Sequence, residues 1–319
     1  MKKLILLLIA VTIWSCKQEK KETKPNIAET LETYTIKQMM DNENVFGGSF
    51  SPDKSKLLVS SNRSGIYNMY TVASSGGEFI PVTASDSSSV FSISYFPEDE
   101  RMLFRMDNNG DEIYHIYLRD EEGAQSDLTP YEGARTIFYG WADDNKSFFF
   151  TSNKRDKRYM DLYEMDLESF SPTLLYQNDE GYDIGGISHD KKYLPLSKAI
   201  NTNDSDMFLY SLEDKSATKI NPNQSANSYE DFSKDSSALY YTTDDGAEFG
   251  YLMKYNIADG SREKVMERNW DIVGSYFTEN GTYQVTYINE DAKNVIEVKD
   301  MDTGENIELP KFDKMSITN

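Results

Sequence analysis

Hydrophobic and polar residues along this chain alternate with period two, in short runs. "KLLVS", "YNMYTVA" and "EFIPVT" follow one another between residues 56 and 83, separated by "SNRSG" and "SSGG". Such runs, rich in Tyr, Val, Ile, Phe and Thr and punctuated by Gly, Asp, Asn and Ser, predict half-buried strands joined by tight turns. In the first copy four strands are expected, at about 45–50, 56–60, 67–73 and 78–83. The pattern then repeats. An aromatic or apolar residue followed by a polar turn occurs as "FSPD" at 50, "FPED" at 96, "WADD" at 141, "ISHD" at 187, "FSKD" at 232 and "FTEN" at 277. The intervals are 46, 45, 46, 45 and 45 residues. The turn carboxylates are Asp53, Asp99, Asp144, Asp190 and Asp235, with Asn280 in the sixth copy. Asx side chains suit turns that need a side-chain-bonded or left-handed backbone, so this series is read as structural. A four-stranded unit of about 45 residues, repeated around an axis, is a β-propeller blade. The fold class is therefore all-β, with six blades visible over residues 34–319. Counting one further period from Phe277 places Met315–Asn319 on the approach to another blade, so the ring is expected to be truncated from seven or eight blades. The segment "YTIKQMM" at 34–40 reads equally as a closing strand or a short helix.

The first residues break this pattern. "MKKLILLLIAVTIWSC" has two lysines, an apolar run from Leu4 to Trp14, and Cys16, the one cysteine of the chain. The run is too short to span a bilayer as a helix and has the layout of a secretory signal. Cys16 directly after it resembles a bacterial lipoprotein signal, which implies a leader at 1–15, lipidation of Cys16 and a cell-envelope location. Residues 16–33 then read as a solvated tether.

Net charge is −21, which excludes nucleic acid as a natural partner, because phosphates must be met by Lys and Arg. No Gly-x-Ser-x-Gly elbow occurs. The two histidines, His115 in a strand and His189 in a turn, are too far apart in setting to make a base and its orienter. Neither "DNNGDE" (107–112) nor "TDDGAE" (243–248) has the spacing of a calcium loop, and no zinc set exists. The expectation is no cofactor, no metal and no catalytic residue in this chain. The loops after strand two of each copy vary in length and charge, whereas the turn after strand one keeps its length. Alternate turns of a meander lie on opposite rims, so one rim is variable and suits recognition. Arg63, Arg105, Lys154, Arg155 and Arg158 stand on it in an otherwise acidic protein. They are candidates to meet a peptide carboxylate or a partner domain, against the plainer reading of pairing with nearby aspartates.

The order aromatic-Ser-Pro-Asp, "SNRSG", Gly-Gly and "PVT" resembles the TolB-like propeller repeat. "RMDNNGDEIYHIYLRD" (105–120) and "TSNKRDKRYMDLYEMD" (151–166) are similar to blades of the N-terminal propeller of the prolyl oligopeptidase family of serine peptidases, in its acylaminoacyl-peptidase and dipeptidyl-peptidase branches. The resemblance implies a non-catalytic propeller that gates peptide access to a C-terminal α/β-hydrolase domain, which this sequence does not contain. The alternatives are a stand-alone envelope propeller that binds a protein or peptide, and a complete propeller enzyme with a carboxylate or metal site in its channel.

Overall fold

A computed structural model describes residues 33–310. The leader, Cys16, most of the tether and Met315–Asn319 lie outside the described residues. The segment left open at 34–40 contains a helix, α1 (Ile36–Met40). Thr35 caps it: its hydroxyl accepts from the Gln38 N–H, and the Gln38 side chain accepts from the Thr35 N–H, a reciprocal capping box. This helix falls in a unit (1–44) distinct from the propeller unit (45–319).

Among the described residues, twenty-four strands make six four-stranded antiparallel sheets. The first blade is β1 (Val45–Phe50), β2 (Lys56–Ser61), β3 (Asn68–Ala73) and β4 (Ile80–Pro81), within a residue or two of the strands expected from alternation. The second is β5 (Val90–Tyr95), β6 (Met102–Met106), β7 (His115–Arg119) and β8 (Gln125–Asp127). The third is β9 (Thr136–Trp141), β10 (Ser147–Asp156), β11 (Tyr159–Asp166) and β12 (Pro172–Tyr176). The fourth is β13 (Asp183–Ile184), β14 (Tyr193–Ala199), β15 (Ser205–Ser211) and β16 (Ser216–Lys219). The fifth is β17 (Asn227–Phe232), β18 (Ala238–Thr243), β19 (Tyr251–Asn256) and β20 (Arg262–Met266), and the sixth β21 (Asp271–Phe277), β22 (Tyr283–Glu290), β23 (Lys293–Asp300) and β24 (Asn306–Ile307).

The landmark turn has one chemistry in all six blades. The side chain of Asp53, Asp99, Asp144, Asp190, Asp235 or Asn280 accepts a hydrogen bond from the backbone N–H two residues on. In five blades the residue in between is left-handed: Lys54, Asn145, Lys191, Ser236 and Gly281 have φ between 55° and 73°. This is the local reason an Asx residue recurs every 45 or 46 positions.

Alternation along each strand sends apolar residues to both neighbouring blades. Phe148 and Phe150 on β10 pack with Phe96, Leu103 and Ile116 of blade two, while Phe149 between them packs with Leu194 and Leu196 of blade four. Phe148 and Phe150 are wholly buried, and truncating a side chain of that size costs about 3–5 kcal/mol. Equivalent clusters tie blade one to two, four to five and five to six. Among the described residues none joins blade six to blade one. On β21 and β24, Tyr276 and Ile307 lie in register on the face away from blade five and stay exposed.

The inner strands β1, β5, β17 and β21 each carry a bulge, as does the β9–β10 pair. In β1 the bulge contains Gly47 at φ +76°, where a Cβ would lie 3.0 Å from Ser92 Oγ of the next blade. Glycine is needed there for both conformation and approach.

Candidate functional site

The loops after strands two and four share one rim, and the five cations singled out in the sequence come from blades one to three on that rim. The structure separates them into two kinds. Arg155 and Lys154 are built into the scaffold. Arg155 Nε and Nη2 lie 2.7 and 2.9 Å from the two oxygens of Asp161, a side chain with no exposure. Nη1 is 3.1 Å from Asp179, and Nη2 also donates to the Asn178 carbonyl. The Asp161 hydrogen bond holds the Arg155 guanidinium above its ordinary range. Lys154 is clasped between two rings, 4.1 Å from the centroid of Tyr131 and 4.2 Å from that of Tyr163, and burial draws its ammonium below the usual range. Arg63 lies 4.3 Å from the Phe79 centroid and 5.7 Å from that of Tyr70, against its own blade.

Arg158 and Arg105 face outward. Arg158 forks onto Asp156 at 2.7 and 3.0 Å, an exposed hairpin pair, and the bond from Arg158 keeps that carboxyl low. Such pairs contribute little to stability. Behind Arg158 a shallow cavity of about 290 Å³ is lined by Ile137, Tyr139, Tyr159 and Tyr182. Arg105 is exposed and has no carboxylate partner among the described residues. Its guanidinium stacks 5.2 Å from the Phe91 centroid and 5.3 Å from that of Tyr114. Phe91 continues into Phe46 at 5.9 Å and Tyr67 at 5.2 Å, and these two meet at 5.1 Å. An arginine on an aromatic ladder is a cation held by π contacts, with its N–H groups left for a planar anion such as a carboxylate.

The aromatic ladder is the part that sequence reading missed. Phe46 and Phe91 sit on inner strands of adjacent blades and looked like ordinary strand residues; Phe91 is directly opposite Arg105 in the β5–β6 ladder. That pairing, recoverable once the hairpin register is fixed, is the signal that could have found them. Both histidines meet carboxylates: His115 Nδ1 is 2.7 Å from Asp127, and His189 Nδ1 is 3.0 Å from Asp143. Among the described residues neither histidine is bonded to a hydroxyl that could serve as a nucleophile. Two of the three carboxylates of "DNNGDE" bond their own loop: Asp107 accepts from the Glu112 N–H, and Asp111 from those of Asn108 and Ile113. Among the described residues no three His, Cys, Asp or Glu side chains converge as a metal would require.

Comparison with known proteins identifies the domain that carries this rim. The family described as prolyl oligopeptidase, N-terminal beta-propeller domain, matches residues 82–319. Dipeptidyl aminopeptidase BIII of Pseudoxanthomonas mexicana is 24% identical over 260 residues, covering 76% of this chain and 36% of its own length. The chain thus spans little more than a third of that curated relative. Prolyl oligopeptidase B from Galerina marginata is similar in structure with a TM-score of 0.59 at 16% identity, over 83% of this chain and 44% of its own. Oligogalacturonate lyase from Vibrio parahaemolyticus gives a TM-score of 0.60 at 14% identity, over 86% of each chain. Those two structural likenesses, to a peptidase and to a lyase, speak for the propeller fold alone. The match along most of the sequence is specific: this chain belongs to the prolyl oligopeptidase family, as its N-terminal β-propeller domain.

Proposed function

We propose that this chain is the non-catalytic propeller portion of a secreted, lipid-anchored serine peptidase, and that it gates peptide access to a C-terminal α/β-hydrolase domain. The family match over residues 82–319 carries this reading. The leader and Cys16 support the envelope location through the pattern of basic, apolar and cysteine residues. The variable rim supports the gating role. It offers Arg105 on its aromatic ladder, fitted to a peptide carboxylate or to the facing domain, and Arg158, already forked onto Asp156, beside an aromatic cavity. Lys154, Arg155 and Arg63 act behind them by fixing the blades that present these groups.

The test is kinetic, on the complete protein. Arg105→Glu is expected to lower kcat/KM for peptides by about tenfold or more through KM, since charge-assisted bonds are worth about 1.5–3 kcal/mol. It should leave the unfolding midpoint within about 1 kcal/mol, because an exposed cation–π contact is worth no more than that. Unchanged peptide kinetics would remove Arg105 from the site. Labelling with radioactive palmitate, lost in Cys16→Ala, tests the anchor.

A further inference from the structure

The opposite rim, where the first turns converge around the channel axis, holds a larger cavity of about 660 Å³. Its walls come from the inner strands and first turns of blades one, two, three, four and six. The third residue of each landmark turn forms a ring here: Pro52, Glu98, Asp143, His189, Lys234 and Glu279. Three of them bond one another. Asp143 takes His189 Nδ1 at 3.0 Å on one oxygen and Lys234 Nζ at 2.5 Å on the other, a bridge across blades three, four and five. Burial pushes the Asp143 carboxyl up, but the Lys234 and His189 bonds outweigh it and keep it low. Glu98 is exposed and does not line the cavity.

Two lining charges are left over. Lys54 and Glu279 both line the cavity, and neither has an ion-pair partner among the described residues. They stand in the turns of blades one and six, which the repeat places across the ring's seam. The rest of the wall mixes rings and prolines with the polar Ser49, Ser51, Ser94 and Asn145. Phe50 keeps 56% of its surface exposed, and Trp141 is held by its Nε1–H, which donates to Ser94 Oγ at 3.1 Å. Open ring surface flanked by one unpaired cation and one unpaired anion matches a small zwitterion with an apolar side chain. The volume falls within the roughly 300–1,000 Å³ of small-molecule sites.

We propose that this cavity binds short unblocked peptides, of two or three residues, at the end of the channel away from the variable rim. Glu279 takes the free ammonium, Lys54 the free carboxylate, and Phe50 and Trp141 the side chain. The choice of peptide among zwitterions rests on the peptidase reading above, since short peptides are what such an enzyme releases. The binding itself is measurable without any hydrolase.

The experiment uses the full chain carrying Trp14→Phe and Trp270→Phe, so that Trp141 is the sole indole. Gly-Leu, its N-acetyl form and its C-terminal amide are titrated while tryptophan fluorescence is followed. Gly-Leu is expected to give a saturable change. Glu279→Gln and Lys54→Asn should each weaken it about tenfold; Asn tolerates the left-handed backbone at position 54. The acetylated peptide should be indifferent to Glu279→Gln, and the amide to Lys54→Asn. Absence of a saturable change overturns the proposal, as does equal binding of all three ligands or indifference of Gly-Leu to both substitutions. Any of these results leaves the peptidase reading standing, since that reading is tested on the hydrolase activity of the complete protein.

Discussion

Glu230 is expected to make the seam between blades five and six weaken as pH rises. It lies half-buried on β17, where Oε1 accepts from the Thr242 hydroxyl at 2.7 Å and Oε2 from the Ser275 N–H of β21 at 2.8 Å. Its neighbour Asp231 accepts from the Phe277 N–H at 2.8 Å, so two adjacent carboxylates clamp the inner strand of the next blade. Burial pushes Glu230 up to about 7, against the pull of the Thr242 and Ser275 bonds and with help from the Asp231 charge. Asp231 is raised as well, again chiefly by burial, with the Phe277 and Phe232 N–H bonds opposing. An unfolded glutamate titrates near 4.3. Because the folded group binds its proton more tightly, the stability it contributes is complete below that value and is lost as pH rises through 7. Between pH 5 and 8 the loss is about 2.5 kcal/mol at 1.36 kcal/mol per pH unit, or about 2 once solvent reaching a half-buried group is allowed for. The carboxyls of Asp53 and Asp235, lowered to about 2 by serine hydroxyl bonds, change charge well below this window. Glu230→Gln keeps the shape and an acceptor for the Ser275 N–H while removing the titration. Urea unfolding of both proteins at pH 5, 6, 7 and 8 should show the wild type losing about 2 kcal/mol relative to the variant. Parallel curves for the two would refute the reasoning.

Asp161→Ala should cost about 2–3 kcal/mol in urea unfolding. Breaking a buried ion pair costs 3–5 kcal/mol, and water recovers part of that at Arg155, whose side chain is 30% exposed. In a double-mutant cycle, Arg155→Ala should add much less once Asp161 is gone, and full additivity would contradict the pairing. Gly47→Ala should destabilise by more than Gly304→Ala. Both positions have φ near +75°, costing about 1–2 kcal/mol for a side chain, but only at Gly47 does the new Cβ meet a neighbour, Ser92 Oγ. Equal midpoints for the two variants would show that the approach of blade two to the β1 bulge is not tight.

The blade repeat was legible because its marker is local. An Asx side chain caps the N–H two residues on, and the next residue turns left-handed, so the requirement is written into four consecutive letters at 50, 96, 141, 187, 232 and 277. The rim was legible only in outline. Lys154 and Arg155, expected in the variable loop of blade three, stand at the end of β10, and their fates depend on Tyr131 and Asp179, more than twenty residues away on either side. A cation's neighbours in sequence do not reveal whether it turns inward. For the same reason Arg105 could not be told from the inward group until the hairpin register placed Phe91 beside it, whereas Arg158 pairs with Asp156, two residues back in the sequence. Glu230 and Asp231 were passed over because their partners, Ser275 and Phe277, lie a full repeat downstream.

The central claim is that this propeller belongs to a working serine peptidase. It is tested most directly on the native gene product, recovered from cells with an antibody against the blades and treated with a fluorophosphonate probe. The account predicts covalent labelling of a serine in the same polypeptide, together with release of dipeptides or prolyl fragments from a chromogenic substrate, abolished by the probe. A native product that carries these blades, takes no label and cleaves no peptide would contradict it.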